Sequence, residues 1–330
     1  MKAAYINRTG PPESIIYGDL PTVKPGPADC VVKVGAVAVN PIDTYVRGGL
    51  VPMPLTFPFV IGCDLAGTVV EVGAEVDRFK PGDRVWGSNQ GLLGRRGTFS
   101  EFVTVDENWL YATPRNVADE QAAAVALVGI TAHLGLVRDA RLQKGESIFV
   151  NGGSGGVGSM VVQMAHALGA RVIATAGSDA RTDLCRMFGA DIVINYKTSD
   201  VSAELKKVAP TGVNVWWETV REPNFEVAVA NLAARGRMIV MAGRDARPPF
   251  PVGPFYVKGC SLHGFVMFNA TPDEQRAAAE EINDWMSRGK LKANIDRILP
   301  LAEAAKAHRL QEENTIGKAG TLSGKIVLKP

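Results

Sequence analysis

The chain contains 330 residues, of which 46% are hydrophobic and 21% are charged, and its formal net charge at pH 7 is +2. This length permits two domains of ordinary size, and the composition is typical of a soluble globular protein. The small net charge argues against a nucleic acid or a membrane surface as the main partner. No run of 18 or more apolar residues occurs and the N-terminus has the pattern of a first strand, so we predict a cytoplasmic protein.

Residues 1–122 are rich in valine, glycine and proline, and alternating apolar runs at 30–39 and 67–73 are separated by Pro-Gly turns. This pattern predicts a compact β-rich unit. The composition changes at Asp119, and residues 121–137 have the pattern of a long apolar helix that leads into the second part of the chain.

Strands and helices alternate from residue 146 onward. We predict strands at 148–150, 171–176, 192–195, 213–217, 238–241 and 261–265, and helices at 157–168, 179–188 and 225–234. Such alternation implies a doubly wound parallel sheet and hence the α/β class. The tail has two amphipathic helices, 274–288 and 301–313, and a closing strand at 325–328. If the tail packs with the first unit, one domain comprises residues 1–122 and 268–330 and the other comprises residues 123–267. A ligand cleft is then expected between the two domains.

A glycine-rich stretch joins the predicted strand 148–150 to the predicted helix 157–168. It contains Gly153-x-Gly155-x-x-Gly158, the dinucleotide fingerprint. In that motif the first glycine makes the tight turn, the second lets backbone approach a pyrophosphate, and the third allows close strand–helix packing. A glycine-rich turn without a ligand is the alternative. The flanking strands and helix favour a nucleotide site, with the phosphates facing the helix N-terminus.

The end of the next strand distinguishes NAD from NADP. An NAD site has an acidic residue there for the ribose hydroxyls, whereas an NADP site has small or basic residues. Ser178 and Arg181 suit a 2′-phosphate, because a guanidinium pairs with it bidentately and a hydroxyl donates to it. Asp179 either binds a ribose hydroxyl or caps the following helix. We predict NADPH as the cofactor.

Six motifs follow one another in register along the chain. They are NPIDTYVRG at 40–48, IGCDLAG at 61–67, FKPGDRV at 79–85, GTFSEF at 97–102, GITA at 129–132 and GSGGVG at 153–158. Together they resemble the zinc-free medium-chain dehydrogenase/reductases, and most closely the NADPH:quinone oxidoreductase or zeta-crystallin group. The resemblance implies a GroES-like β-rich catalytic domain, a Rossmann cofactor domain, and a homodimer or homotetramer whose edge includes residues 248–254.

The resemblance also implies the cofactor contacts. The pyrophosphate is expected at Ser154, Gly155, Gly156 and Val157, the 2′-phosphate at Ser178, Arg181 and Tyr196, and the nicotinamide near Thr131, Gly243, Phe265 and Val266. For Thr131 the alternative role is helix packing. A basic residue near the C-terminus is also expected close to a phosphate, with Lys318 as the assigned contact and Lys325 as the other candidate.

Asn40, Asp43 and Tyr45 are implied as the polar lining of the catalytic cleft. Tyr45 would donate to a developing oxyanion or enolate, and Asn40 would orient the cofactor carboxamide or the substrate. Asp43 is expected to support these two residues without contacting the substrate itself. The alternative is purely local, with a turn at Asn40, Asp43 capping a short helix and Tyr45 half buried.

A metal is not expected. Zinc alcohol dehydrogenases of the superfamily have Cys at the position of Asn40 and a His-Glu pair at those of Cys63 and Asp64, and catalytic zinc needs three protein ligands. The ligand count is therefore short here, and we expect Cys63 to be a packed thiol and Asp64 a hydrogen-bonding scaffold residue. The four cysteines are widely scattered, which also excludes a structural zinc lobe.

Without a Lewis acid to polarise a carbonyl, an acceptor carbon that is already electrophilic is favoured. We predict hydride transfer to a quinone, with reduction of an α,β-unsaturated carbonyl or acyl-CoA as the alternative. Arg95 and Arg96 either attract an anionic substrate or lie on the surface, and Arg221 stands where the family usually has glycine. A zeta-crystallin-like structural or RNA-binding protein is the alternative of another class, and the absence of a basic stripe argues against it.

Overall fold

The computed structural model of the protein describes residues 1–317 and 319–330. The chain divides into two compact units, Met1–Ile130 with Ala270–Pro330, and Thr131–Asn269. The first unit therefore extends to residue 130 where the sequence predicts 122, and resumes at residue 270 where the sequence predicts 268.

The strands and helices are as follows. The strands are β1 Lys2–Ile6, β2 Ile16–Asp19, β3 Asp29–Ala38, β4 Phe59–Val60, β5 Leu65–Val72, β6 Arg84–Gly87, β7 Phe102–Asp106, β8 Leu110–Ala112, β9 Ser147–Asn151, β10 Arg171–Ala176, β11 Ile192–Asn195, β12 Val213–Glu218, β13 Leu232–Val240, β14 Ser261–Gly264, β15 Ile295–Pro300 and β16 Lys325–Lys329. The helices are α1 Pro41–Gly48, α2 Asp119–His133, α3 Gly156–Ala167, α4 Asp179–Met187, α5 Val201–Val208, α6 Phe225–Asn231, α7 Val252–Val257, α8 Pro272–Ser287 and α9 Ala304–Thr315.

The first unit is β-rich. Seven strands form one sheet in the order β15-β16-β3-β5-β6-β8, with β7 also paired to β3, and β2-β1-β4 form a smaller sheet. The central strand β3 is mostly buried: residues 30, 32, 34, 36 and 38, on one face, are all buried, whereas Lys33 on the other face is exposed. Its valines suit such a pleated surface. Helix α1 follows β3 after two residues, and β16 pairs antiparallel with the end of β3. This pairing brings the C-terminal strand to the start of α1.

The second unit is a doubly wound sheet. Its strand order is β11-β10-β9-β12-β13-β14, and every neighbouring pair is parallel. The rings of Phe149 and Trp216 pack 4.2 Å apart between centroids in the core on one face. The strand order reverses between β9 and β12, and open α/β sheets bind ligands at the carboxyl ends of the strands at such a switch point.

Helix α2 is long and apolar. It continues as a π-helical segment at Leu134–Asp139. Together they are long and apolar enough to cross a membrane, but 83% of their 18-residue apolar stretch is buried within the protein. Core helices of globular proteins have the same properties, and burial accounts for the apolar composition here.

Two predicted helices form with bounds that differ from those expected. Helix 225–234 ends at Asn231, and the next residues begin a strand at Leu232 that is longer than the predicted 238–241. Leu232, Ala233 and Ala234 are strong helix formers, but propensity is only a weak guide where tertiary contacts differ, and pairing of β13 with β12 and β14 outweighs it. The predicted helix 301–313 starts with a 3-10 turn, Leu301–Glu303, before α9.

Candidate functional site

The glycine-rich loop lies between β9 and the N-terminus of α3. Gly155 is the N-cap of α3, so Gly156 and Val157 form its first turn. The first amides of a helix have no partner within it and attract anions. A β-carbon on Gly158 would collide with the carbonyl oxygen of Gly152, which explains why only glycine fits there. The loop can therefore bind a pyrophosphate through backbone N–H groups.

Polar side chains at the ends of neighbouring strands fix this loop. Asn151 Nδ2 donates to Glu218 Oε1 at 2.9 Å, and Asn151 Oδ1 accepts from Thr175 Oγ1 at 3.0 Å. Thr175 Oγ1 in turn accepts the Gly152 N–H at 2.8 Å, and Thr219 Oγ1 donates to the Asn151 carbonyl. These residues were not predicted from the sequence. Their common signal is that they lie at or next to the carboxyl ends of predicted parallel strands.

Glu218 is a buried carboxyl at the end of β12. Burial raises its pKa, while hydrogen bonds from Asn151, Val220 and Trp216 act in the opposite direction. The Trp216 indole donates to it at 3.1 Å and the Val220 N–H at 2.8 Å. Because several donors surround it, Glu218 is a fixed acceptor that connects β12 to the loop after β9.

The residues predicted for the adenosine 2′-phosphate lie at the ends of β10 and β11. Ser178 is the N-cap of α4, and its Oγ accepts the Arg181 N–H at 3.4 Å. The Tyr196 hydroxyl lies so close to Gly177 that a β-carbon there would overlap it. Of the two roles left open for Asp179, capping of α4 is therefore wrong, because Ser178 precedes it and occupies the N-cap position. Asp179 instead accepts from Asn195 Nδ2 at 3.3 Å.

The residues predicted for the nicotinamide side belong to the same unit. Gly243 follows β13 with φ of +82°, and a β-carbon on it would approach the Arg221 carbonyl oxygen. After β14, Val266 is half exposed, whereas the Phe265 ring packs against the Arg138 guanidinium at 5.3 Å. Thr131 is buried, near the C-terminal end of α2. The other predicted contact, Lys318, lies outside the described residues.

In the first unit, two predicted catalytic residues are buried at the start of α1. Asn40 is the N-cap, and its backbone N–H donates to Asp43 Oδ2 at 2.8 Å, half of a capping box. The Cys63 thiol also hydrogen-bonds Asp43, but desolvation dominates and raises the pKa of Asp43 to about 7. Tyr45, the third predicted residue, is half buried on the same helix.

Asp64 and Lys325 complete this buried cluster. Asp64 Oδ2 accepts from Asn40 Nδ2 at 2.7 Å, and Asp64 Oδ1 accepts from Ser88 Oγ at 2.7 Å and the Leu127 N–H at 3.1 Å. The Lys325 ammonium lies 3.9 Å from Asp64 Oδ2. Burial raises the pKa of Asp64 and lowers that of Lys325, whereas their mutual attraction favours the charged form of each.

This donor set does not suit a divalent metal. Throughout residues 1–317 and 319–330, no group of three His, Cys, Asp or Glu side chains has the geometry of a metal site. The carboxylates of the cluster instead face an amide, from Asn40, and an ammonium, from Lys325. A metal would have to displace the ammonium, and its ligand count would still be short.

Arg95 has a local role. Its Nε donates to the Asn89 carbonyl at 2.6 Å, Nη2 donates to Asn89 Oδ1 at 3.0 Å, and the guanidinium stacks on the Trp109 ring at 4.7 Å. Asn89 has φ of +67°, so these contacts support a left-handed turn. Arg95 is thus engaged within its own loop, while Arg96 is exposed.

Comparison with known proteins agrees with both units. Residues 26–115 match the model of the alcohol dehydrogenase GroES-like domain, and residues 156–284 match the model described as zinc-binding dehydrogenase. The first match lies within the β-rich unit, and the second includes strands β10 to β14 of the parallel sheet.

Similar proteins span nearly the whole chain. A quinone oxidoreductase of Sus scrofa is 31% identical over 99% of this chain and 97% of its own length, and one of Pseudomonas aeruginosa is 34% identical over 91% and 92%. A trans-enoyl reductase of Aspergillus terreus is 32% identical over 92% and 87%. Among solved structures, the Escherichia coli quinone oxidoreductase complexed with NADPH is 26% identical, covers 100% of both chains and has a TM-score of 0.85. An NAD-dependent alcohol dehydrogenase is 30% identical, again over 100% of both chains, with a TM-score of 0.90.

Proposed function

The chain belongs to the quinone oxidoreductase family of the medium-chain dehydrogenase/reductases, and from this premise we propose that it catalyses hydride transfer from NADPH to a quinone. Addition of the hydride converts the quinone to the hydroquinone monoanion, and one proton then gives the hydroquinone, with NADP⁺ as the other product. The observation that carries the proposal is the glycine-rich loop before α3, which hydrogen bonds from neighbouring strands hold in place. The residues predicted to bind the adenosine 2′-phosphate, at the ends of β10 and β11, add to it.

NADPH rather than NADH is favoured by the residues that follow β10. Ser178 retains a hydroxyl hydrogen to donate, because its oxygen acts as the acceptor in the helix cap. Arg181 in the first turn of α4 supplies a cation, and Tyr196 adds a second hydroxyl next to Gly177. Asn195 donates a hydrogen bond to the Asp179 carboxylate, which lessens the repulsion between Asp179 and a phosphate. The remaining contacts in our proposal are Thr131, Ser154, Gly155, Gly156, Val157, Gly243, Phe265, Val266 and Lys318.

When bound, the cofactor supplies the hydride, so the protein needs to position the acceptor and provide a proton. We assign the substrate contact to Tyr45, whose phenol is a hydrogen-bond donor on a half-buried face of α1. Asn40 and Asp43 act by placing the first turn of that helix, since both are buried and hydrogen-bonded. The reaction is proposed to be independent of zinc, in accord with the donor set of the cluster.

A second candidate function is reduction of an α,β-unsaturated carbonyl or acyl-CoA. It is favoured by the 32% identity to a trans-enoyl reductase, and it needs the same electrophilic acceptor carbon. We further propose a cytoplasmic homodimer or homotetramer without a nucleic-acid or membrane partner. Among the described residues β14 is an edge strand, and this edge and the exposed Tyr256 and Val257 of α7 support self-association. The net charge of +2 argues against polyanions.

The test is oxidation of NADPH, with NADH in parallel, against 1,4-benzoquinone, 9,10-phenanthrenequinone, trans-2-hexenal and crotonyl-CoA. We expect turnover of the quinones, a preference for NADPH, and no loss of activity after dialysis against a chelator. Reduction of the enal or the CoA ester without quinone turnover would transfer the protein to the second candidate. Inactivity with every acceptor, together with salt-sensitive RNA binding, would favour a structural or RNA-binding role.

Tyr45→Phe separates the role of the phenol from that of the ring. The variant keeps the packing of the ring but removes the donor, so we expect kcat to fall by about 10²-fold with little change in the KM for NADPH. Unchanged turnover would contradict the role of Tyr45 as a donor.

A further inference from the structure

Lys325 is a buried cation within the first unit. It begins β16 and is only 6% exposed. Its ammonium donates to the Val39 carbonyl at 2.8 Å and to Asn40 Oδ1 at 2.5 Å, and it lies 3.9 Å from Asp64 Oδ2. Lysine is almost never buried without a charged or polar partner. The ammonium is therefore directed at acceptors of its own chain.

This contact selects one orientation of the Asn40 amide. Asn40 Oδ1 accepts from Lys325, while Nδ2 donates to Asp64 at 2.7 Å and to the Ala38 carbonyl at 3.4 Å. An asparagine amide offers two donor hydrogens and two acceptor lone pairs, so three of its four sites are occupied. Rotating the amide by 180° would place its NH₂ against the ammonium and its oxygen against the carboxylate. Both contacts are repulsive, so Lys325 and Asp64 together permit one orientation.

Anchoring the Asn40 side chain fixes the N-cap residue of the helix that carries the proposed catalytic residues. Asn40 is the N-cap of α1, and its backbone N–H is bonded to Asp43 in the first turn. Tyr45 follows Asp43 by two residues on the same helix. We propose that Lys325 is a positioning residue for the reaction, which through Asn40 sets the first turn of α1 and thereby the position of Tyr45. The proposal rests on the proposed function, since it assigns Tyr45 to the substrate contact.

The competing role for Lys325 is a phosphate contact, which the sequence alone left open. The two roles predict different kinetics. A phosphate contact contributes mainly to cofactor affinity, so its loss raises the Kd for NADPH. A positioning residue affects the reacting geometry, and small misplacements of reacting groups lower the rate by about 10²-fold.

The experiment compares Lys325→Met with the matched control Lys329→Met. Lys329 is the exposed lysine at the other end of the same strand, where it pairs with Glu120. For Lys325→Met we expect kcat with 1,4-benzoquinone to fall by about 10- to 100-fold and the Kd for NADPH to change by less than about twofold. The control should match the wild type. A rise of tenfold or so in the Kd with kcat unchanged would overturn the proposal in favour of the phosphate contact.

A double-mutant cycle excludes a general folding effect. Lys325→Met leaves Asp64 buried without its counter-charge, whereas the double variant Asp64→Asn, Lys325→Met removes both charges. If Lys325→Met does not fold, the activity of the double variant tests the proposal. Because the two residues act on one amide, the double variant should lose no more activity than the worse single variant. Losses that multiply would overturn the proposal.

One measurement is independent of turnover. Urea unfolding of Lys325→Met, Asn40→Ala and the double variant should show non-additive midpoint shifts if Lys325 acts through Asn40. Additive shifts would overturn the contact even if the wild type reduced no quinone at all. A wild type without quinone turnover, but with non-additive shifts, would instead refute the proposed function and retain the positioning of Asn40 by Lys325.

Discussion

His308 provides a sharp prediction about stability in the unit that carries α1. It lies on α9, is fully buried, and its ring packs edge-on to Phe99 with 5.8 Å between centroids. Desolvation, aided by the charge of the nearby Arg47, lowers the pKa of His308 from 6.5 to about 3. The imidazole is therefore neutral in the folded protein, while in the unfolded chain it takes up a proton below pH 6.5.

The sign and size of the effect follow from this difference. Because the folded pKa lies below the unfolded one, stability is fully present above about pH 6.5 and is lost progressively as the pH falls toward 3. At pH 5, which is 1.5 units below the unfolded pKa of 6.5, protonation of His308 stabilises the unfolded state by about 2 kcal/mol relative to neutral pH, at about 1.36 kcal/mol per unit. His308→Leu, which has similar volume and cannot ionise, should abolish that loss.

The assay is urea unfolding followed by tryptophan fluorescence at pH 8 and pH 5, for the wild type and the variant. The difference between the two pH values should be about 2 kcal/mol smaller in His308→Leu, because all other titrating groups cancel. His166→Leu is the matched control, since His166 is exposed on α3. An equal pH dependence for wild type and His308→Leu would refute the reasoning, and so would an equal effect of the control.

The remaining predictions concern the cofactor unit. Gly158→Ala should abolish NADPH binding, because the added methyl would displace the loop, while Gly253→Ala, where a β-carbon meets no atom within 4 Å, should bind as the wild type does. Arg181→Ala should raise the KM for NADPH by about 10- to 100-fold, because it removes a charge-assisted hydrogen bond, and should leave the KM for NADH unchanged. Equal effects on both cofactors would argue against a 2′-phosphate contact. Asn195→Ala should release Asp179 toward the ribose and lower the NADPH to NADH preference by about three- to tenfold in kcat/KM, and an unchanged ratio would contradict this role.

Features that depend on nearby residues were predictable from the sequence. Strand β10 and strand β11 have the predicted bounds, and β9 and α3 differ from theirs by no more than one residue at each end. Apolar periodicity is a local property, and the glycine fingerprint requires only a strand, a turn and a helix in succession. The GroES-like and Rossmann-like units were expected from motifs in register and agree with the matched domains.

Contacts between distant segments were decided by the tertiary structure. Lys325 meets Asn40 across 285 positions and Asp64 meets Asn40 across 24, and no local pattern encodes either distance. The sequence likewise left open whether Asp179 caps α4, because that depended on one residue of register and on Asn195 from the next strand. Local sequence thus determined which elements form and which chemistry they carry. Packing of those elements decided which polar groups lose water together, and this loss of water sets the pairing, orientation and pKa of the buried groups.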